Sequence, residues 1–269
     1  MENYYLNLVF NPAPVDGMEA FDLKKYLTPI EGFRMRFKSL SLELDKKIAG
    51  MSSSIHTVDY NKAQAKANHQ SYFNRSKTMI PIPVHFNPRT TTMEKYIKSC
   101  ISAVGLVDAF KTDSSRFYDW LREIAAKGKV SGTFRYTVSS TSRQIDDLQR
   151  FIETLGNSKK EMQLPLKDLY PSFNEMFRSI NEYNLNVKMI KPRDAETIAR
   201  QLQLNAELSE LVLQRIMSND IVLDENDIDN IKRVFDDFER YMNLTGALVG
   251  MLNELSAVLK AQCDVIENL

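Results

Sequence analysis

Glycine is scarce in this chain, at 9 of 269 residues, about half its usual share of ~7%. Glycine-rich loops are what let backbone amides close around a phosphate. Their absence shows in the motifs: there is no GxxxxGK[ST], and no two glycines are separated by a single residue, which excludes GxGxxG. Cysteine is scarcer still, with only Cys100 and Cys263, and that excludes a disulfide scaffold. Histidine occurs three times, as His56, His69 and His85, and none belongs to an HExxH or CxxC arrangement. A GxSxG nucleophile elbow is also missing. Charge of one sign is lacking overall, since 35 Lys and Arg balance 35 Asp and Glu. No net charge therefore draws the chain to nucleic acid or to a membrane.

Proline is absent from the last 77 residues, although the chain contains 9. Proline breaks helix interiors, so its absence permits long helices there. Within that third, Asp224 and Asp227 read as an N-cap and a first-turn carboxylate. Apolar residues follow at three- and four-residue spacing: Ile228, Ile231, Phe235, Phe238, Met242, Val249, Leu252, Leu259 and Ile266. A second stripe runs through Val234, Tyr241, Leu248, Leu255 and Leu269. Two stripes predict a helix buried on two sides, as in a bundle or an intersubunit coiled coil. Residues 193–218, with Ile198, Leu202, Leu208, Leu211, Val212 and Ile216, are the expected antiparallel partner in a helical hairpin.

The middle also reads as helical. Thr91 with Glu94 forms a capping-box pattern ahead of Ile97, Ile101, Val104 and Phe110. Thr112 is a candidate cap for a further helix ending at Gly128, and Thr141 with Gln144 for another ending at Gly156. Residues 168–184 add one more. Ile80, Ile82, Val84 and Phe86 alternate along an extended segment that Pro81, Pro83 and Pro88 confine to an edge. Phe134, Tyr136 and Val138 suggest a short strand. Phe33 to Leu44 fits helix better than strand. The fold class expected is mainly α, an elongated bundle with a long C-terminal helical hairpin and a few short strands in the N-terminal half. Its segments are 1–88, 89–192 and 193–269.

Motifs for chemistry fail one by one. The acidic run from Asp224 to Asn230 places Ile228 where an EF-hand needs an oxygen ligand. The pairs Asp146-Asp147 and Asp236-Asp237 carry Arg150 and Arg240 where a third metal-holding carboxylate would stand. Cys100 falls on an apolar helix phase between Ile97 and Val104, as a core residue does. No catalytic residue, cofactor or metal is expected. Gly246 and Gly250 read as close packing within a soluble bundle.

What remains is uneven charge. Residues 54–160 carry +8 and residues 193–269 carry −8. The basic stretch holds Lys62, Lys66, Arg75, Lys77, Arg89, Lys95 and Lys98, interleaved with Tyr72, Phe73, Phe86 and Tyr96. A second cluster, Lys127, Lys129, Arg135 and Arg143, surrounds Phe134 and Tyr136. Cations with planar rings suit nucleic acid; cations alone suit an acidic protein surface. The leading expectation is a non-enzymatic structural or interaction protein that assembles with itself or a protein partner. Leu248 and Leu255 serve in its seam, and a component of a large assembly such as a virus particle fits. A nucleic-acid-binding accessory protein is the alternative, and an enzyme with an unrecognised site the third. The first basic residue is Lys24, and the longest uncharged stretch of the C-terminal region, Tyr241 to Asn253, has 13 residues. That is short of the ~20 that span a bilayer, so no export signal or membrane contact is expected. The chain reads as cytoplasmic, or carried in a virion.

Overall fold

The computed structural model describes residues 32, 35–48, 55–69, 77–102, 104–130, 134, 150, 163–188, 192–218, 220–221 and 223–269. The expected helix after Thr141 and the strand at residues 134–138 lie outside these, apart from Phe134 and Arg150. Eight helices and two short strands make up the described elements: α1 (residues 35–48), α2 (Asn61–His69), β1 (Met79–Pro81), α3 (Met93–Ser102), α4 (Val104–Lys127), β2 (Gln163–Pro165), α5 (Leu166–Leu169), α6 (Phe173–Val187), α7 (Pro192–Met217) and α8 (Glu225–Glu267). The fold is mainly α.

Helix α8 is the spine. Asp224 Oδ1 accepts from the Asp227 amide at 2.7 Å and the Asp224 amide donates to Asp227 Oδ2, closing a capping box. From there 43 residues run without interruption, about 65 Å at 1.5 Å per residue. Both expected stripes are buried, except at Leu269, which is exposed. By length and composition this helix could cross a membrane, but 56% of its apolar window is buried inside the fold. Its exposed positions include Asp229, Arg233, Asp236, Asp237, Arg240 and Asn243 in the first half and Ala257, Lys260 and Asp264 in the second.

Two groups of helices pack along the spine. The first half carries α1 and α4. Phe37 of α1 stacks on Phe238 with ring centroids 5.7 Å apart, Ser41 contacts Met242, and Leu44 lies beside Gly246. These pairs advance together, so α1 runs parallel to α8. Phe117 of α4 stacks on Phe238 at 4.2 Å and Phe110 meets Tyr241 edge-on at 5.0 Å, so α4 runs antiparallel to it. Trp120, Phe134 and Phe235 extend this aromatic cluster. Along the second half, α8 touches α2 and α3, and both of those touch α6, closing a four-helix ring with the two-stranded sheet β1–β2 on its flank. Strand β1 pairs antiparallel with β2, Ile80 opposite Leu164. One contiguous apolar core links both groups.

Several expectations are corrected. Helix α7 lies along α4, not along α8. Its buried face is Ile198, Leu202, Asn205, Ser209, Val212, Leu213 and Ile216, while Leu211 is exposed. A sequence stripe says that a face is buried, not against which helix. Arg215 of α7 reaches across to the Ala125 carbonyl near the end of α4. There Gly128 takes φ 65°, the left-handed conformation that ends helices. Thr112 caps nothing, because α4 is continuous from Val104. The α3 cap is Thr92, whose Oγ1 accepts from the Lys95 amide at 3.3 Å, one residue later than expected. The segment 168–184 divides into α5 and α6, with Ser172 capping α6 through the Glu175 amide. In the proline-rich stretch only Met79–Pro81 is strand, and Val84 turns outward at 64% exposure while Ile80, Ile82 and Phe86 are buried. Leu42 of α1 is exposed between buried Ser41 and Leu44, the pattern of a helix.

Candidate interaction surface

The basic residues singled out in the sequence fall mostly on one group, the four-helix ring. Lys62 is exposed and Lys66 half-buried on α2; Lys95 and Lys98 are exposed on α3. Lys77 is exposed just before β1. Arg89 is exposed in the turn before α3, where the Asn87 side chain accepts its amide at 3.0 Å. Arg75 lies outside the described residues.

Their electrostatic states differ. Lys98 donates to Glu94 Oε1 at 2.8 Å, one helical turn back, and Arg178 of α6 reaches the same carboxylate at 3.4 Å and Glu175 at 3.2 Å. The Lys98 hydrogen bond, then its charge, holds the Glu94 carboxyl below its ordinary value. The group is solvent-exposed, so this neutralises surface charge more than it stabilises the fold. Lys62, Lys66, Lys77, Arg89 and Lys95 make no ion pair among the described residues.

Among the described residues, the rings of the pattern are packed into the core. Phe86 and Tyr96 pack edge-to-face at 5.7 Å and are buried at 1% and 0% exposure. Neither ring is available to stack on a base. Tyr72 and Phe73 lie outside the described residues. The second cluster is similar: Lys127 pairs with Glu123, Lys129 is exposed, and Phe134 packs into the aromatic core against Phe117 and Trp120. Arg135, Tyr136 and Arg143 lie outside. Leu248 and Leu255 are both 0% exposed. Both lie in the apolar core of the chain itself.

Inside the ring Cys100 lies near Tyr96, Tyr183 and Glu254. His56 and His85 are exposed. The His56 backbone, not its ring, binds Ser256, whose Oγ accepts its amide and donates to its carbonyl, each at 3.2 Å. Cys100 and Cys263 are buried, and burial pushes each thiol up to about 12. Neither is a thiolate at neutral pH, and the thiolate is the nucleophile. Burial likewise pushes the Tyr183 phenol up to about 12. Among the described residues no three His, Cys, Asp or Glu are placed to share a metal ion.

Polar residues that the sequence did not single out pin the ring together. Gln262 is fully buried; its Nε2 donates to the Pro81 carbonyl at 2.7 Å and its Oε1 accepts from Tyr170 at 3.0 Å. Asn184 accepts from the Val58 amide at 2.7 Å and donates to the Val58 carbonyl at 2.8 Å, imitating a strand neighbour. Their only sequence signal is a polar residue on an otherwise apolar helix phase.

Neither protein-family models, nor curated proteins, nor solved structures yield a match to this chain.

Proposed function

We propose that this chain is a non-enzymatic structural or interaction protein that docks an acidic protein surface, most simply a second copy of itself, through the cations of its four-helix ring. The observation that carries this reading is the exposure of Lys62, Lys77, Arg89 and Lys95 without ion pairs among the described residues, while Phe86 and Tyr96 are buried. A binder of single-stranded nucleic acid needs exposed rings as well as cations; a protein dock needs only the cations. The complementary charge is in the same chain. Residues 192–250, which include α7 and the first half of α8, hold 6 Lys and Arg against 12 Asp and Glu, or −6. Residues 55–102 hold 7 against 2, or +5. Opposite charges on opposite ends favour head-to-tail association.

Sedimentation velocity across a concentration series tests this. Association should weaken in Lys77→Glu/Arg89→Glu/Lys95→Glu, and also in salt near ~0.5 M, where screening shortens the reach of surface charge to a few ångströms. Monomer at every concentration, combined with oligonucleotide binding that the triple variant abolishes, would replace this reading with the nucleic-acid one.

A further inference from the structure

Residues 55–60 form neither helix nor strand, yet two helices hold their backbone residue by residue. Asn184 of α6 accepts from the Val58 amide at 2.7 Å and donates to the Val58 carbonyl at 2.8 Å. Ser256 of α8 accepts from the His56 amide and donates to the His56 carbonyl, each at 3.2 Å. One helix side chain thus satisfies both backbone groups of each residue, and none of these bonds uses a side chain of the segment.

Apolar side chains anchor it. Ile55 and Val58 are buried at 9% and 5% exposure, and Tyr60 stacks on Phe177 of α6 with ring centroids 5.6 Å apart. His56, Thr57 and Asp59 are exposed. Tyr183 of α6 lies beside Ser256 of α8, so the two helices meet where the segment is held and together form its groove. Sites for extended peptides work in this way: main-chain bonds give affinity whatever the sequence, and pockets select a few side chains. The chemistry asked of an occupant is an extended chain with aliphatic residues three apart and an aromatic ring two residues further on.

We propose that the groove across α6 and α8 is a peptide-binding site, filled within one chain by its own residues 55–60 and open to the same segment from a second copy. The bonds fit a copy's segment as they fit the chain's own, because they address the backbone and the sequence is identical. Releasing residues 55–58 breaks no helical or ladder bond, and segments without such bonds open most readily. The tether holds the exchange in check, since a linked segment competes at an effective concentration on the order of millimolar. No ion pair takes part in these contacts, so the exchange is separate from the charged dock and persists in salt that screens it.

Complementation tests this. Ile55→Ala/Val58→Ala weakens the segment and leaves the groove; Asn184→Ala/Ser256→Ala weakens the groove and leaves the segment. In salt near ~0.5 M each variant alone should sediment as a monomer. The equimolar mixture should form a one-to-one complex with a higher melting temperature than either variant, because binding stabilises the folded state. An acetylated and amidated peptide of residues 55–60, at about millimolar concentration, should raise the melting temperature of the first variant by a few degrees and leave the second unchanged. Absence of the complex in the mixture overturns the proposal, as does an equal response of both variants to the peptide; the segment is then internal packing alone. Should a double variant fail to fold, Val58→Ala and Asn184→Ala are compared in the same assays, with the same outcomes deciding.

Discussion

Replacing Gln262 by Leu probes the joint between the spine and the two-stranded sheet. The side chain is fully buried, and its two hydrogen bonds hold the Pro81 carbonyl at 2.7 Å and the Tyr170 hydroxyl at 3.0 Å. Leucine is of similar volume, so the substitution opens no large cavity, but it leaves both of these groups buried without their partner. Each stranded polar group costs about 1–3 kcal/mol, which sums to ~2–6 kcal/mol before the apolar gain of the leucine offsets part of it. Tyr170→Phe removes only one donor, and the net worth of one such bond is about 1 kcal/mol. In the double variant the Tyr170 hydroxyl is no longer present to be stranded. The pair should therefore couple by at least ~0.5 kcal/mol, as contacting residues in one network do. Urea unfolding of the parent, both single variants and the double variant measures this, with the midpoint shifting and the slope constant if the denatured state is unaffected. Backbone amides of β1 should also exchange faster in Gln262→Leu. A cost below ~0.5 kcal/mol, or strictly additive singles, would refute the reasoning.

Other consequences can be measured on the same purified protein. Leu248→Ala should cost about 3–5 kcal/mol by transfer and cavity terms, and Leu248→Asp should prevent folding, seen as loss of the cooperative thermal transition. Asn184→Ala strands both Val58 backbone groups and should cost ~2 kcal/mol or more, read from the urea midpoint. The thiols carry a pH prediction: both are held near 12 in the fold against an ordinary 9.0. The folded state keeps those protons where the unfolded chain has lost them, so the stability they contribute is complete below pH 9 and disappears as pH rises toward 12. The loss should approach ~1.4 kcal/mol per pH unit for each thiol. Chemical denaturation at stepped pH checks it, with Cys100→Ser and Cys263→Ser as controls. Near neutral pH a thiol reagent should react only as fast as the protein opens.

Local rules made much of the fold legible. The absence of proline after residue 192, the Asp224–Asp227 cap and the doubled apolar stripe sufficed for the uninterrupted α8, because helix boundaries and amphipathic faces are properties of neighbouring residues. Cys100 on an apolar phase read as core for the same reason. Charge segregation was equally plain in the sequence. Which face meets which was not. Helix α7 carries an apolar stripe that fits α4 and α8 alike, and only assembly chose α4. Phe86 and Tyr96 carry the composition of a base-stacking surface, yet packing against each other removed them from it. Leu248 and Leu255 read equally well as core or as seam, since periodicity records burial without naming the partner. Gln262 and Asn184, whose bonds span 181 and 126 residues, gave no signal beyond being polar. Their partners across those spans are backbone groups of Pro81 and Val58, whose availability depends on the path of the chain in three dimensions. Sequence thus determined the elements and their buried faces, which arise from short-range sterics and apolar period. Pairings between faces, and the side chains left for other molecules, follow from shape complementarity across the chain, which tertiary structure alone decides.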